Sequence, residues 1–158
     1  DVLKLFPQGS IYEPNLNDAL QDIEVNRRER SYLKSTMIKA FNYEVVKAIP
    51  KDLARTIKIV DVHPDWKSDF SWVRSSWKHP SPTLTQMGQQ ANAMGGVLYP
   101  DEDRQFTIAE LKRLMGLPED FVLTGTFNQK VERICRMVTP PIYKHLSQSI
   151  YEKILSKV

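Results

Sequence analysis

The chain has 158 residues, of which 41% are hydrophobic and 26% charged, a composition typical of a folded globular domain rather than a disordered chain. Lysine and arginine (22) exceed aspartate and glutamate (19), and the net charge of +3 permits a polyanionic partner without requiring one. A single cysteine, Cys135, excludes an internal disulfide framework and a multi-cysteine zinc site. No apolar run reaches the roughly 18 residues of a membrane helix, and no basic-then-apolar leader is present. We therefore expect a cytoplasmic chain without a membrane partner.

Residues 1–64 are predicted to be mostly helical with irregular joints. Asn26 followed by Glu29 has the spacing of a capping box, in which the first side chain accepts from an amide of the first turn and the second reaches back. A shorter amphipathic piece follows and stops at Pro50. The predicted buried positions are Tyr32, Leu33, Thr36, Met37, Ala40 and Phe41 in the first helix and Val45, Val46 and Ile49 in the second.

Residues 65–103 combine aromatic and basic side chains with many prolines and glycines, which favour short strands and mobile loops over long helices. Cationic groups neutralise phosphates while aromatic rings stack or pack, so the interleaving suits a nucleic-acid surface. The alternative is that the tryptophans form the core of a small sheet. The residues concerned are Trp66, Trp72 and Trp77, with Lys67, Arg74 and Lys78 between or beside them.

The C-terminal third of the chain is predicted to form three core-building helices. Thr107 and Glu110 have capping-box spacing, and Phe106 and Leu111 are placed for a hydrophobic staple across it. Gly116 is expected to end this first helix. The predicted buried stripes are Ile108, Leu111, Leu114 and Met115; then Val131, Ile134, Cys135 and Val138 in a helix capped by Asn128; and finally Ile142, Leu146, Ile150 and Ile154.

The motifs of common catalytic sites are missing from this sequence. It contains no glycine-rich phosphate loop, serine-nucleophile elbow or paired-histidine zinc helix. Cys135 lies on a predicted apolar stripe, so we expect a structural thiol rather than a nucleophile, which requires exposure and a lowered pKa. Asp101, Glu102 and Asp103 imitate a metal-binding cluster, but we expect these consecutive carboxylates only to solvate a turn, and no metal is predicted. The residues alone indicate an α+β module for which DNA binding is one option.

Three segments resemble the DNA (cytosine-5)-methyltransferases. Residues 104–121 match nearly every fixed position of the family's ninth motif, R-x-[LF]-T-x-x-E-x-x-R-[LI]-x-[GS]-[FL]-P-[DE]-[DE]-[FY]. Residues 132–140 are similar to the tenth motif, Q-x-G-N-[AS]-V-P-P, with Cys135 and Arg136 where the family has Gly-Asn. Residues 81–86 are similar to the end of the target-recognition region, which carries a Thr-Leu dipeptide.

The resemblance implies a function for individual residues. The threonine of the Thr-Leu pair contacts the backbone at the flipped nucleotide, and amide side chains of the following loop read base edges. The implied DNA-binding residues are Thr83, Leu84, Gln86, Gln89, Arg74 and Lys78. The implied scaffold residues are Arg104, Thr107, Glu110 and Arg113. The segment Arg136, Met137 and Val138 is expected to contribute to the pocket of the methyl donor, S-adenosylmethionine.

The resemblance also implies a division of the fold. Residues 1–103 would be a target-recognition region with an N-terminal helical part, and residues 104–158 a helical segment that packs on a catalytic domain. We therefore expect an α+β segment, mostly helical with a small, loop-rich recognition region that contains strands, which completes the α/β methyltransferase fold of a longer protein.

The family flips the target cytosine, attacks its C6 with a cysteine thiolate and methylates C5. The segments that carry the nucleophile, the nucleotide-binding glycines and the cytosine-binding glutamate lie upstream of this region in the family and are not in this sequence. We therefore expect no catalytic residue in the chain, and no methyl transfer by it alone. The expected partners are double-stranded DNA and a catalytic N-terminal half, either covalent or a separate subunit.

Several alternatives stay open at the level of sequence. The chain could be an engineered fragment, a natural subunit of a two-part methyltransferase, or the product of a truncated gene. We expect a protein of bacterial or phage type that belongs to a restriction-modification system. The runner-up function is a non-catalytic DNA-binding or assembly module that kept the scaffold and lost the chemistry. A third class is an interaction domain that does not touch nucleic acid, which would lack the steep salt dependence of DNA binding.

Overall fold

The fold is known from a computed structural model, which describes residues 15–39, 43–51, 55–65, 72–91, 93 and 95–157. None of the helices in these ranges is both long and apolar enough to cross a membrane. Mixed helices and short strands confirm the predicted α+β class. The helices are α1 (Leu16–Leu20), α2 (Arg27–Ile38), α3 (Tyr43–Ala48), α4 (Ile108–Leu114), α5 (Phe127–Arg136) and α6 (Pro140–Lys153), and the strands are β1 (Ile57–Lys58), β2 (Trp72–Arg74) and β3 (Gly96–Leu98).

The three strands form one sheet in the order β1-β2-β3. Strand β1 runs antiparallel to β2, with Ile57 opposite Arg74, and β3 runs parallel to β2, with Val97 opposite Val73. Strands β2 and β3 confirm the short strands predicted for residues 65–103. Strand β1 lies in the part predicted to be mostly helical, and two residues are too few for a period-2 pattern to reveal a strand.

Two hydrophobic cores meet at β3, because successive strand residues point to opposite faces. Val97 belongs to the first core and Leu98 to the second. The first core takes residues from both sides of the predicted boundary at residue 103, so the two predicted regions share it. Its buried members are Leu16, Leu20, Val97, Phe106, Leu111, Leu117, Val131 and Ile134. Those of the second core are Met37, Val46, Ile49, Ile57, Ile59, Trp72 and Leu98.

The capping box predicted for α4 is present. The amide of Glu110 donates to Thr107 Oγ1 over 3.3 Å, and the amide of Thr107 donates to Glu110 Oε2 over 2.7 Å. Phe106 and Leu111 are both fully buried in the first core, as the staple requires. Gly116 follows the helix with φ of +69°, the left-handed conformation that glycine adopts without strain.

Of the two other predicted helix caps, Asn26 is confirmed and Asn128 is wrong. Asn26 does cap α2, but the carboxylate of Glu29 accepts from the amide of Ile108, the first residue of α4, instead of closing a box. Helix α5 is capped by Thr126, which forms a capping box with Gln129. The predicted cap, Asn128, lies inside the helix.

The predicted stripes are buried only where another element covers them. In α2, Leu33 and Met37 are buried, whereas Tyr32 is 52% exposed. Ala40 and Phe41 lie outside the described residues. Val138 is 67% exposed, because α5 has already ended at Arg136 and the helical spacing no longer applies.

Helix α6 does not bury the stripe predicted for it. None of its residues is fully buried. Ile142 is 54% exposed and Ile154, just after the helix, is 49% exposed, while Leu146 and Ile150 are half-buried. The pattern correctly marked one face of α6 as apolar, but apolar spacing does not say what covers a face.

Candidate nucleic-acid interface

Residues 81–91 are called here the recognition segment, which contacts the first core through Leu84. Leu84 is partly buried and packs against that core, while its neighbour Thr83 is exposed. Thr83 is therefore accessible to solvent, whereas Leu84 packs against the core. A phosphate contact by Thr83 stays a prediction.

A close contact between two glycines holds the recognition segment against β3. A Cβ added to Gly96 would lie 1.9 Å from the carbonyl oxygen of Gly88, and Gly96 has φ of +143°, a conformation that side chains disfavour. Thr85 Oγ1 accepts from the amide of Gly88 over 3.1 Å. The 3-10 turn Met87–Gln89 is thus fixed on both sides.

Gln89, predicted to read bases, is buried. Its Nε2 donates to the carbonyl of Val97 over 3.0 Å, and its Oε1 accepts from the amide of Phe106 over 3.4 Å. Both ends of the amide are used by the protein's own backbone. Gln89 therefore braces the segment against β3 and α4, and we do not propose it as a base contact.

Arg74, predicted to neutralise a phosphate, is also fully buried. Its Nη1 donates to the carbonyls of Tyr99 and Glu102, both over 3.0 Å, and its Nη2 lies 2.6 Å from Asp103 Oδ1. Burial lowers the pKa of Arg74 and the carboxylate of Asp103 opposes this shift. A guanidinium held in this way cannot reach DNA without abandoning buried acceptors, so the predicted contact is corrected to a structural one.

The remaining predicted DNA contacts are accessible. Lys78 is exposed, and its amide donates to Ser76 Oγ over 3.2 Å, which fixes the backbone from which the side chain extends. Gln86 is half-buried, and its Oε1 accepts from Arg136 Nε over 2.7 Å. With Thr83, these side chains form the accessible part of the predicted interface.

The core alternative is confirmed for Trp72, whereas Trp77 lies outside the strands and is only partly buried against the first core. Trp72 is fully buried in the second core. Trp77 is half-buried against Tyr99, with ring centroids 5.3 Å apart and planes at 88°, the edge-to-face arrangement favoured by aromatic quadrupoles. Trp66 lies outside the described residues.

The residues predicted as scaffold bind α4 to its surroundings. Arg104 is buried over the ring of Tyr99, 3.8 Å from its centroid, and forms a two-point ion pair with Glu110. Arg113 donates to Asp22 Oδ1 over 2.8 Å and also pairs with Glu119, so it connects α4 to the end of α1. These contacts agree with a scaffold role, which stays a prediction.

The acidic turn at residues 101–103 collects cations from distant parts of the chain, which the sequence did not indicate. Glu102 pairs with Arg30 and Lys34 of α2, each at 2.5 Å, and with Arg104 at 3.3 Å. Burial acts to raise the pKa of Glu102, but these three cations lower it to about 2. Within the described residues, no group of histidine, cysteine and carboxylate side chains could hold a metal ion.

The predicted cofactor segment offers one apolar wall. Val138 is exposed, Met137 packs partly against the first core, and the guanidinium of Arg136 is bound to Glu132 at 2.9 Å and to Gln86. Burial raises the pKa of the Cys135 thiol to about 11, as expected for a structural cysteine. Val138 is thus the accessible apolar side chain of this segment, and Arg136 is similarly exposed but already bound to two acceptors.

Comparisons with known proteins identify the family of this chain. A family model described as C-5 cytosine-specific DNA methylase matches residues 5–152. DNA (cytosine-5)-methyltransferase 1B of Oryza sativa subsp. japonica is 28% identical over 79% of this chain, and methyltransferase 1A of the same species is 27% identical over the same share. DNA (cytosine-5)-methyltransferase CMT3 of Arabidopsis thaliana is 29% identical over 54% of this chain and 10% of its own length.

The chain spans only 8% of the length of the two rice proteins. All three relatives are plant proteins, and they give no support to the bacterial or phage origin that we expected.

Proposed function

We propose that this chain, which belongs to the C-5 cytosine-specific DNA methylase family, is the DNA-recognition portion of a DNA (cytosine-5)-methyltransferase. The observation that carries the proposal is the attachment of the recognition segment to the start of the ninth motif. Gln105 Nε2 donates to the carbonyl of Gln90 over 3.0 Å, and Phe106 donates to Gln89. The motif with the strongest family resemblance thus supports the segment that bears Thr83.

Rotating a cytosine out of a duplex costs a few kcal/mol of stacking and pairing, so the protein must hold the distorted backbone firmly. Buried bonds from Gln89 and the contact between Gly88 and Gly96 give the segment this rigidity. In this proposal Lys78 and Thr83 bind phosphates and Gln86 reaches a base edge. Gln89 holds the surface that these side chains present.

S-adenosylmethionine, bound in the complete enzyme, would supply an activated methyl group on a sulfonium centre. Val138 fits one apolar wall of its pocket, because the side chain is exposed immediately after α5. Met137 holds that wall to the first core. The rest of the pocket, and the nucleophile, would come from the catalytic half.

The exposed apolar side chains of α6 support a covering partner. Large apolar side chains rarely stay exposed in such number on the free surface of a monomer unless they bind something. Those on and after this helix are Ile142, Tyr143, Tyr151, Ile154 and Leu155, and at about 100° per residue Ile142 and Tyr151 lie on opposite sides of it. We infer that the catalytic half covers this helix.

Methyl transfer to duplex DNA tests the proposal. The chain alone should transfer no methyl group, and addition of the catalytic half of a plant relative should produce activity. Activity of the chain alone would contradict the assignment of the missing parts. Lys78→Ala should weaken binding of all duplex sequences and flatten its dependence on salt, because one phosphate contact is lost.

A second candidate is a non-catalytic DNA-binding or assembly module derived from such an enzyme. It is favoured by Arg136, which occupies the position of the family's asparagine and is already bound to Glu132 and Gln86. This candidate would be supported if the chain bound DNA in a salt-dependent way but gained no methyl-transfer activity when a catalytic half was added.

A further inference from the structure

Arg136 joins two parts of the molecule that lie 50 residues apart in the chain. Its Nε donates to Gln86 Oε1 over 2.7 Å, while its Nη1 lies 2.9 Å from Oε1 of Glu132, one helical turn earlier. An acidic residue four positions before a basic one is the favourable order on a helix. The pair with Glu132 therefore orders the guanidinium that meets Gln86.

The two ends of the recognition segment are held differently. Its C-terminal end is fixed by Gln89, by Gln105, and by Asn128, whose Oδ1 accepts from the amide of Ala91 over 3.1 Å. In the N-terminal half, residues 81–86, the side-chain hydrogen bond that comes from another element of the described chain is the one from Arg136 to Gln86, at the middle of the segment. This half contains Thr83, the predicted phosphate contact.

We propose that Arg136 is a positioning residue that couples the recognition segment to the predicted methyl-donor wall. The inference rests on the proposed function, since it concerns two parts of one enzyme. Arg136 directly precedes Met137 and Val138, so a displacement of Gln86 reaches that wall through one side chain. The guanidinium of Arg136 donates to two acceptors at once, and it stands at the position where the family has the shorter asparagine.

The same hydrogen bond sets what Gln86 offers to DNA. Because its Oε1 accepts from Arg136, both N–H groups of the amide remain for acceptors. In the major groove these are N7 and O6 of guanine, N7 of adenine and O4 of thymine. A two-point contact with adenine would require Oε1 to accept a second hydrogen bond. The bond from Arg136 therefore favours a contact in which Gln86 only donates to the base.

Backbone hydrogen exchange in the whole chain tests the hydrogen bond between Arg136 and Gln86 without DNA. Arg136→Gln removes it, and Arg133→Gln removes the same charge from an exposed position on α5 whose guanidinium bonds to Thr124. The amide of Gly88, which donates to Thr85 Oγ1, should exchange about fivefold faster in Arg136→Gln, the effect of losing one ordinary hydrogen bond, and at the wild-type rate in Arg133→Gln. Equal exchange in the two variants would overturn the inference.

Variants of the acceptor provide a rescue test. Gln86→Glu keeps an acceptor for Arg136 and should retain slow exchange, whereas Gln86→Leu should accelerate it. The double variant of Gln86→Leu and Arg136→Gln should exchange no faster than either single variant, because both remove one bond. Additive acceleration would show that the two residues act independently.

Duplex binding separates this inference from the proposed function. The probes are a short duplex with one C·A mismatch and its fully paired counterpart, since an unpaired cytosine is easier to extrude. Arg136→Gln should reduce the preference for the mismatch, and Arg133→Gln should weaken both complexes alike. An unchanged preference in Arg136→Gln refutes the coupling. Failure of the wild-type chain to bind either duplex refutes the proposed function, and hydrogen exchange then still tests the bond between Arg136 and Gln86.

Discussion

Arg104 donates from both terminal nitrogens to the two carboxylate oxygens of Glu110, over 2.8 and 2.9 Å, and neither side chain is more than 1% exposed. Glu110 also accepts from the amide of Thr107, so one carboxylate both closes the helix cap and neutralises a buried cation. Planar two-point pairing of this kind fixes direction as well as distance. The connection from β3 into α4 is thereby held in one geometry.

Removal of one member of this pair should destabilise the fold strongly. Arg104→Ala leaves the Glu110 carboxylate buried without its counter-charge, which typically costs about 3–5 kcal/mol. Urea denaturation measures the loss in free energy of unfolding. Arg133→Ala, at an exposed position, should change it by about 0.5 kcal/mol or less. Similar losses in the two variants would show that the buried pair is not an important contact.

Glu102 predicts a specific pH dependence of stability. Its carboxyl has a pKa of about 2 in the fold against a usual 4.5. Since the unfolded chain takes up the proton first as the pH falls, the contribution of Glu102 is complete above pH 4.5 and lost toward pH 2.

The free energies of unfolding of wild type and Glu102→Gln should therefore differ at neutral pH and converge in acid. Glu44→Gln removes an exposed carboxylate and controls for the lost charge. A difference between wild type and Glu102→Gln that stayed constant down to pH 2 would contradict the ion pairs with Arg30 and Lys34.

Cys135 should react slowly in the folded protein. Burial raises the pKa of its thiol to about 11, so little thiolate exists near neutral pH. Iodoacetamide labelling followed by mass spectrometry should be slow in buffer and fast in urea. Because this is the chain's one cysteine, each added label reports on it alone. Rapid labelling of the folded chain would identify a reactive thiol instead.

The exposed apolar side chains of α6 should matter for assembly more than for folding. Ile142 is 54% exposed, so Ile142→Ser should cost the isolated chain less than about 1 kcal/mol, whereas Leu111→Ala in the first core should cost about 2–5 kcal/mol. The serine variant should nevertheless lose activation by a catalytic half. Full activation of this variant would show that these side chains have another function.

Local sequence patterns predicted the structure well where the partners are neighbours in the chain. The box of Thr107 and Glu110 closes within one turn, and its spacing alone was sufficient. The same kind of signal, Thr126 followed by Gln129, marks the start of α5, so the sequence contains the correct cap two residues before the predicted Asn128.

Other features depend on contacts that spacing does not encode. Arg74 and Gln89 have the side chains of DNA contacts, and only the tertiary fold shows that they are buried against carbonyls and carboxylates. The pairing of Glu102 with α2 joins residues 72 positions apart. Composition correctly indicated a polar, loop-rich region but not which of its polar groups face inward.

The carboxylate of Glu29 has a consequence for engineering. It accepts a hydrogen bond from the amide of Ile108, the first residue of α4. Glu29 lies 79 residues upstream of Ile108 and outside the family's ninth motif. A chimaera that imported only residues 104–121 into another scaffold would bring the helix with its own Thr107 cap but leave the Ile108 amide dependent on whatever the host supplies. Swaps between relatives should therefore exchange α2 and α4 together.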